Sequence, residues 1–382
     1  METWAVNACD QFTSNCKYWE EVQRLTEGKY SAYNLIYPEI YLGDNPKKRI
    51  ADINGHMHRY LDEGVFRSLH GMVLVERTTQ SGTRRGIVLG VDLEDYSFES
   101  QAKTLIRATE ATILERIPPR VAVRKDAPIE LPHAMLLYDD EQNTVMDSVR
   151  KGEKLYDFDL MLGGGHIDAY LISNPEEVIF SLYGLCGKEH SMKRYGITEG
   201  ILFAVGDGNH SIATAKACWD NLKCTISPAE RVNHPQRYVL CEVVNVFDEA
   251  LKFSAIHRLV KCHDRDKFLS GLKTAGSETA YIVTESGRTE IPFNGDIPQG
   301  IRDLDRYIDA YIKENGGEVD YVHGEAEVTR HATGEWVGIM LPAIDKDDFF
   351  RLIVQEGTLP RKTFSMGEGN EKRYYVEARA IR

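Results

Sequence analysis

The fold of this chain is indicated by the stretch Gly200-Ile-Leu-Phe-Ala-Val-Gly-Asp-Gly-Asn-His-Ser-Ile-Ala-Thr-Ala-Lys216. An apolar run from Ile201 to Val205 stops at Gly206-Asp207-Gly208, and good helix formers follow from Ala213. This pattern predicts a buried strand, a tight turn and the N-terminus of a helix. Residues 206–211 are called the Asp207 junction below.

Side chains of four different chemistries follow the predicted strand: a carboxylate, an amide, an imidazole and a hydroxyl. The first turn of a helix presents backbone N–H groups and the positive end of the helix dipole, and this arrangement suits an anion such as phosphate. The junction therefore predicts a phosphate site, with Asp207 and His210 as catalytic residues and Gly208, Asn209 and Ser211 as phosphate-binding residues.

A purely structural interpretation of the same residues stays open. Asn209 or Ser211 is then the N-cap of the helix, Asp207 a turn former and Gly208 a residue at positive φ. The stretch is not the Gly-x-Gly-x-x-Gly fingerprint, and the chain contains no Gly-Lys-Ser or Gly-Lys-Thr loop. The sequence therefore predicts neither a Rossmann dehydrogenase nor a Walker-type NTPase.

The composition is ordinary for a globular protein. Its residues are 42% hydrophobic and 27% charged. The length of 382 residues is enough for two or three hydrophobic cores. The net charge of −13 argues against nucleic acids and anionic membranes, whose phosphates require clustered Lys and Arg. The sequence has neither a run long enough to cross a bilayer nor a signal-peptide pattern at its start. We expect a cytoplasmic protein with no nucleic-acid or membrane partner, and the oligomeric state stays open.

The cysteines and histidines do not predict a metal site. Seven cysteines stand at irregular spacing, as is typical of reduced thiols rather than of a disulfide framework. The nearest approaches to metal-ligand spacing are Cys262-His263 and the pair His56 and His58. Neither has convincing partners in the sequence.

Strand-like and helix-like segments alternate along the chain. The main predicted helices are 17–27, 46–65, 105–114, 175–185, 298–313 and 345–355, and the main predicted strands are 71–77, 85–91, 133–138, 167–172, 238–246 and 336–341. This alternation, with a hairpin mixed in, predicts an α+β or mixed α/β fold with mixed sheets and flanking helices. We expect an N-terminal α/β domain over 1–143, a motif-bearing core over 144–262 and a C-terminal α/β segment over 263–382 that closes on the core.

The glycine run Gly163–Gly165 has two interpretations. Its backbone amides would form a nest for phosphate. Alternatively, it is a bulge or loop between two strands, since no helix obviously follows it.

The Asp207 junction resembles the hallmark of a bacterial and archaeal family known as the domain of unknown function numbered one thousand and fifteen. That hallmark is a strand followed by Ala-Asp-Gly-His-His-Arg-Tyr-x-Thr-Ala. Asp207, Gly208 and His210 match it, as do the later Thr and Ala, whereas Asn209 replaces a histidine and Ser211 replaces the arginine. The missing arginine puts in doubt any guanidinium clamp on phosphate at that position.

Other segments resemble the same family in the same order along the chain. Ile106–Thr112 resembles its Arg-x-His-Glu-x-Thr segment, with Thr109 in place of the histidine. Ile256–Arg258 resembles its Thr-His-Arg element, and Gly357–Ser365 resembles its Met-Pro-x-Lys-Ser-Thr-x-Phe segment. The resemblance covers nearly the whole chain and indicates a divergent branch.

The Asp-Gly-x-His pattern is also similar to the strand–turn–helix core of ParB-like domains, a group that includes a free-serine kinase. This resemblance implies a nucleotide or phosphate at the junction, with Mg²⁺ as the expected companion of a nucleotide. The leading hypothesis is a phosphotransferase that acts on a small hydroxylated metabolite such as serine. The alternatives are a nucleotide-binding or regulatory module without turnover, and a phosphatase that acts on a phosphorylated metabolite.

Residues outside the junction complete the predicted site. Glu110 is a candidate base or Mg²⁺ ligand, and Arg107, Arg258 and Lys362 are candidates for balancing phosphate charge. A surface ion pair between Arg107 and Glu110 is the structural alternative. The cation- and hydroxyl-rich segment Pro360–Glu368, which contains Lys362 and the phosphate-binding candidate Thr363, is expected to fold over the junction.

Overall fold

The computed structural model describes residues 2–13, 15–41, 43, 45–112 and 117–382. The helices are α1 Cys16–Thr26, α2 Pro46–Asp62, α3 Ile117–Arg124, α4 Thr144–Ser148, α5 Pro175–Leu185, α6 Lys188–Tyr195, α7 Asn209–Lys223, α8 Pro228–Val232, α9 Arg265–Gly271, α10 Ile297–Asn315, α11 Glu325–His331 and α12 Lys346–Glu356. The strands are β1 Val73–Thr79, β2 Gly82–Asp92, β3 Tyr96–Ser97, β4 Ile106–Arg107, β5 Ile129–Glu130, β6 Met135–Tyr138, β7 Lys151–Asp159, β8 His166–Ile172, β9 Phe203–Asp207, β10 Tyr238–Asn245, β11 Phe253–Lys261, β12 Glu278–Thr284, β13 Gly287–Phe293, β14 Glu318–His323, β15 Trp336–Met340, β16 Phe364–Met366 and β17 Arg379–Ala380.

These elements form a mixed α+β fold with large mixed sheets and flanking helices, as predicted. One predicted helix, over residues 105–114, is wrong in its described part. Ile106–Arg107 is strand β4, and no helix occurs between residues 108 and 112. Ile106 is buried and pairs with Phe203 of β9, so sheet pairing overrides the helical periodicity of this segment. Ile113 and Leu114 lie outside the described residues.

The chain divides into two compact units. Unit 1 comprises residues 1–251, 353–358 and 369–382, and unit 2 comprises residues 252–352 and 359–368. The expected boundary after residue 143 falls inside unit 1. The three ranges drawn from the sequence stay a prediction.

Unit 1 is built on a nine-stranded sheet of order β3-β4-β9-β6-β10-β2-β1-β8-β7. Successive residues of β1 belong to different cores, because side chains alternate between the two faces of a strand. Leu74 packs in the core that contains Trp219 of α7, whereas Val73 and Val75 pack in the core that contains Met57 of α2. The sheet therefore has an apolar core and helices on each face.

The predicted hairpin at the start of this sheet is confirmed. β1 and β2 pair antiparallel from Val73 and Val88 to Thr79 and Gly82. Gly82 has a φ of 122°, a value that disfavours residues with a Cβ atom.

Unit 2 has its own sheet, of order β13-β12-β15-β11-β14, and β16 pairs with β11. Helix α10 contributes Ile301, Leu304 and Ile308 to the core of this unit. The rings of Phe253, Phe349 and Phe364, also in this unit, have centroids 5.1–5.3 Å from one another.

Candidate phosphate-binding site

The Asp207 junction has the predicted strand–turn–helix structure. Strand β9 ends at Asp207, and α7 begins at Asn209. Gly208 links them with a φ of 86°. An added Cβ atom at this position would lie 2.9 Å from the Cα atom of Ala134, so both backbone conformation and space require glycine here.

The position of β9 in the sheet places two other segments at the same edge. β4 runs parallel to β9, so the chain leaving β4 emerges beside Asp207. β6 runs antiparallel to β9 with Met135 opposite Asp207, so the residues just before β6 also lie at this edge. The sheet topology therefore brings Thr109 and His133 to the junction.

Asn209 joins the junction to the segment that follows β4. Its Oδ1 atom accepts a hydrogen bond from the Thr109 backbone N–H at 3.3 Å, and its Nδ2 atom donates to Thr109 Oγ1 at 3.4 Å. Thr109 Oγ1 in turn donates to the Val205 carbonyl of β9 at 2.6 Å. Two separate motifs of the sequence therefore meet at one place.

Asp207 has a cationic neighbour that the sequence analysis did not choose. Its Oδ1 atom accepts the Gly208 N–H at 2.8 Å, and its Oδ2 atom lies 3.6 Å from Lys372 Nζ. The Lys372 side chain is 9% exposed, and that of Asp207 is 33% exposed. A buried ammonium thus faces a partly accessible carboxylate at the N-terminus of α7.

His133 links Ser211 to Tyr375. Ser211 Oγ lies 3.2 Å from His133 Nε2, and the Tyr375 hydroxyl lies 2.9 Å from His133 Nδ1. Burial lowers the pKa of His133, while the nearby Asp207 carboxylate acts in the opposite direction. Burial also raises the pKa of Tyr375, which keeps the phenol protonated.

Arg77 of β1 fixes the C-terminal segment that supplies Lys372. Its guanidinium is buried and donates to the carbonyl of Gly164, at 3.0 Å from Nε, and to that of Lys372, at 2.6 Å from Nη1. Asn370 Nδ2 donates to the Gly163 carbonyl at 3.1 Å. The glycine run is thus a loop between β7 and β8 whose Gly163 carbonyl contacts the C-terminal segment and whose Gly164 carbonyl contacts Arg77.

Arg107, Glu110 and His210 are also in unit 1. Arg107 is buried and donates to the carbonyls of Thr104 at 2.9 Å and Gly200 at 3.2 Å. Glu110 is half-buried and follows Thr109 directly. The carbonyl of His210 accepts the Thr214 hydroxyl within α7 at 2.7 Å. Roles for these three side chains in phosphate chemistry stay predictions.

Arg258, Lys362 and Thr363 are in unit 2. Arg258 is fully buried, pairs with Asp305 through two contacts of 2.8 Å and donates to the Lys362 carbonyl at 2.8 Å. Thr363 is buried and donates to the Pro360 carbonyl at 2.6 Å. The expected closure of Pro360–Glu368 over the junction stays a prediction.

Three residues at the junction were missed in the sequence: His133, Lys372 and Tyr375. Lys372 stands among other charges near the C-terminus and has no motif of its own. His133 was placed only at the start of a short strand. The family resemblance drew attention to 357–365, whereas the contributing segment begins a few residues later, at Gly369.

Among the described residues, one further cluster has metal-ligand chemistry: Asp157, His166 and Asp168, whose ligand atoms lie within 4.8 Å of one another. Lys154 Nζ lies 2.7 Å from Asp168 Oδ1 and also contacts Asp157. An ammonium therefore already balances part of this acidic charge.

The chain belongs to the family described as Protein of unknown function (DUF1015), whose model matches residues 1–378. No curated protein matches the chain. In the described part of the chain, no helix is both long enough and apolar enough to cross a membrane.

Solved structures resemble the chain only distantly. A free serine kinase in complex with AMP has 10% sequence identity and a TM-score of 0.42, with 77% of this chain and 92% of the kinase covered. A C-terminally truncated SbnI from Staphylococcus aureus has 8% identity and a TM-score of 0.40, with 73% and 82% covered. A conserved hypothetical protein from Pyrococcus furiosus has 11% identity and a TM-score of 0.39, with 77% and 95% covered. Similarity of this degree does not transfer an activity to this chain.

Proposed function

We propose that the Asp207 junction binds the phosphates of a nucleotide and that the protein is a phosphotransferase acting on a small hydroxylated metabolite such as serine. The observation that carries this proposal is the pairing of Asp207 with Lys372 at the N-terminus of α7. Phosphoryl transfer needs positioned phosphates, a cation to balance their charge and a group that orients the attacking hydroxyl.

Phosphate binding is supported by the backbone and by the buried ammonium. The first turn of a 15-residue helix offers N–H donors and the positive end of its dipole. Lys372 supplies a positive charge beside Asp207, whereas Ser211 stands at the position where the family pattern carries an arginine. A lysine balances phosphate as a point charge, without the bidentate geometry of a guanidinium.

Catalysis is supported by the exposure of Asp207. The Asp207 side chain is one-third exposed and can therefore contact a bound hydroxyl. Its Oδ1 atom is held in place by the Gly208 N–H. In this role Asp207 orients the acceptor hydroxyl and takes up its proton. A Mg²⁺ ion that accompanies the nucleotide would find an oxygen ligand of the kind it prefers in the same carboxylate.

The test compares Asp207→Asn with Asp220→Asn, a change of the same chemistry near the other end of α7. Phosphorylation of a panel of hydroxylated metabolites, serine included, is measured with nucleoside triphosphates and Mg²⁺. Asp207→Asn is expected to lower turnover by about 100-fold or more, the range usual for loss of an acid–base group. Asp220→Asn, whose side chain pairs with Lys216 and Lys223, is expected to keep full turnover.

Three outcomes separate the proposal from its alternatives. Nucleotide binding without transfer to any acceptor would favour a binding or regulatory module. Phosphate release from phosphorylated metabolites without a nucleotide would favour a phosphatase. If millimolar nucleotides and phosphates leave the melting temperature unchanged, the binding site itself is rejected, because a ligand at 100 times its Kd stabilises by about 2.7 kcal/mol.

A further inference from the structure

We infer that Ser211 is a nucleophile, that His133 is its general base, and that the hydroxyl of Ser211 takes up a phosphoryl group. The identity of the natural donor, a nucleoside triphosphate, rests on the proposed function; the nucleophile and its base do not. It gives Ser211 a covalent role in place of a phosphate-binding one. The basis is the contact between Ser211 Oγ and His133 Nε2 at 3.2 Å.

A nucleophilic serine needs a base within hydrogen-bond reach and a third group that orients the base. His133 Nε2 is within reach of the Ser211 hydroxyl, and the Tyr375 hydroxyl contacts the other ring nitrogen at 2.9 Å. With the proton on Nδ1, the imidazole donates to the Tyr375 oxygen and Nε2 accepts from Ser211. Tyr375 is therefore a positioning residue that holds the ring with Nε2 facing Ser211.

The surroundings of His133 favour the neutral imidazole that a base requires. Desolvation lowers its pKa, as do the nearby guanidiniums of Arg120 and Arg373. The carboxylates of Asp207 and Glu39 act in the opposite direction and favour the imidazolium once a proton has been accepted. Burial thus favours the neutral imidazole that can accept a proton, and these carboxylates stabilise the charge it gains in the reaction.

The step is balanced in atoms and charge. The Ser211 oxygen attacks the γ-phosphorus, an oxygen–phosphorus bond forms, and the bond from that phosphorus to the bridging oxygen of the donor breaks. The nucleoside diphosphate leaves with the bonding electron pair, and the serine proton moves to His133 Nε2. The acceptor oxygen then attacks the phosphorus, and the bond from the phosphorus to Ser211 Oγ breaks. Asp207 takes up the acceptor proton, and the proton held on His133 Nε2 returns to the Ser211 oxygen, which restores both residues.

The chain contains a matched serine without an imidazole partner. Ser227 is the N-cap of α8, where its hydroxyl accepts the Glu230 N–H at 3.4 Å. Like Ser211, it stands at the start of a helix, but its partners are a backbone amide and the Glu230 carboxylate, which accepts the Ser227 N–H. Ser227 therefore gives the reactivity of a serine at a helix start without an imidazole partner, and His133→Gln tests the imidazole itself.

The experiment uses diisopropyl fluorophosphate, a phosphorus electrophile that needs no nucleotide. Attack by a serine oxygen forms the oxygen–phosphorus bond and expels fluoride, and the serine proton passes to the base. Intact mass and peptide mapping follow the adduct in the full-length protein and in Ser211→Ala, His133→Gln and Tyr375→Phe. The adduct is expected on Ser211 at a rate at least about 100-fold above that on Ser227, the usual contribution of a general base.

The three variants distinguish the roles of Ser211, His133 and Tyr375. Ser211→Ala is expected to abolish the adduct, and His133→Gln to slow it by about 100-fold. Tyr375→Phe should slow it less and shift the pH at which the rate is half-maximal, because it removes the group that orients the imidazole. A merely structural role for Tyr375 would leave that pH unchanged.

The outcomes separate this inference from the proposed function. An adduct on Ser211 that depends on His133 supports the nucleophile even when no nucleotide binds. Labelling of Ser211 and Ser227 at equal rates overturns it. Full phosphotransfer by Ser211→Ala also overturns it and leaves the proposed function standing. Melting temperatures of all variants, taken alongside, show whether each protein is folded when it is assayed.

Discussion

Two hydrogen bonds join the side chain of Asn209, the first residue of α7, to Thr109 in the segment that follows β4. Both positions are histidines in the pattern of the family to which this chain belongs, and both depart from that pattern here. The two departures are therefore in contact. An amide and a hydroxyl thus meet where the family pattern has two histidines.

This contact predicts a measurable coupling between the two side chains. Asn209→Ala leaves the Thr109 N–H without its acceptor, and Thr109→Val removes the hydroxyl that contacts Asn209. The coupling energy in a double-mutant cycle is expected to be about 1 kcal/mol, the usual net value of a hydrogen bond. Urea denaturation of the four proteins gives this energy. Thr109→Ser, which keeps the hydroxyl, is the control, and strictly additive effects would contradict the pairing.

Gly208→Ala is expected to destabilise the protein much more than Gly196→Ala. Both glycines have positive φ, at 86° and 72°. An added Cβ atom at Gly208 meets the Ala134 backbone at 2.9 Å, whereas at Gly196 nothing lies within 4 Å. Overpacking typically adds about 1–3 kcal/mol to the common backbone penalty, and chemical denaturation measures the difference. Equal losses would show that the junction relaxes around the new methyl group.

Lys372→Met is expected to weaken nucleotide binding by about tenfold or more, because it removes the buried cation that faces Asp207. Methionine keeps most of the length and volume of the side chain. Titration calorimetry with the nucleotide and Mg²⁺ measures the change in Kd. Lys223→Met, which breaks the 2.9 Å contact with Glu94 near the other end of α7, is the control. Unchanged affinity in Lys372→Met would remove this lysine from the binding site.

Acid is expected to destabilise the fold partly through His133. Its pKa in the folded protein is below the ordinary value of about 6.5 because the ring is desolvated. Below about pH 6.5, His133 binds a proton more readily in the unfolded chain than in the folded chain. The stability from this group is thus fully present above about pH 6.5. It is lost progressively as the pH falls through the folded pKa.

The measurement is the free energy of unfolding between pH 7 and pH 5 in the parent and in His133→Gln. The glutamine variant should lose less stability over this range. Its remaining pH dependence includes His257, whose pKa burial also lowers. His70→Gln, at an exposed position, is the control. Parallel curves for the parent and His133→Gln would show that the pKa of His133 is the same in both states.

The local pattern of residue types was sufficient to predict most of the helices and strands. The helix at Pro175–Leu185, the hairpin between β1 and β2, and the β9–α7 junction follow from apolar periodicity and glycine placement, which are properties of neighbouring residues. Residues 105–112 were misjudged, because sheet pairing of Ile106 with Phe203 outweighed their helical periodicity.

The sequence by itself indicated the junction: an apolar strand that stops at Gly206-Asp207-Gly208, a turn with glycine at position 208, and a helix that follows. The structure set the bounds, with β9 ending at Asp207 and α7 beginning at Asn209. Only the tertiary structure decided which side chains face it. His133, Lys372 and Tyr375 are distant from Asp207 along the chain, and the order of β4, β9 and β6 in the sheet, together with the hydrogen bonds of Arg77, brings these neighbours together. Strand order and long-range hydrogen bonds join residues far apart in sequence, so no local pattern of residue types encodes them.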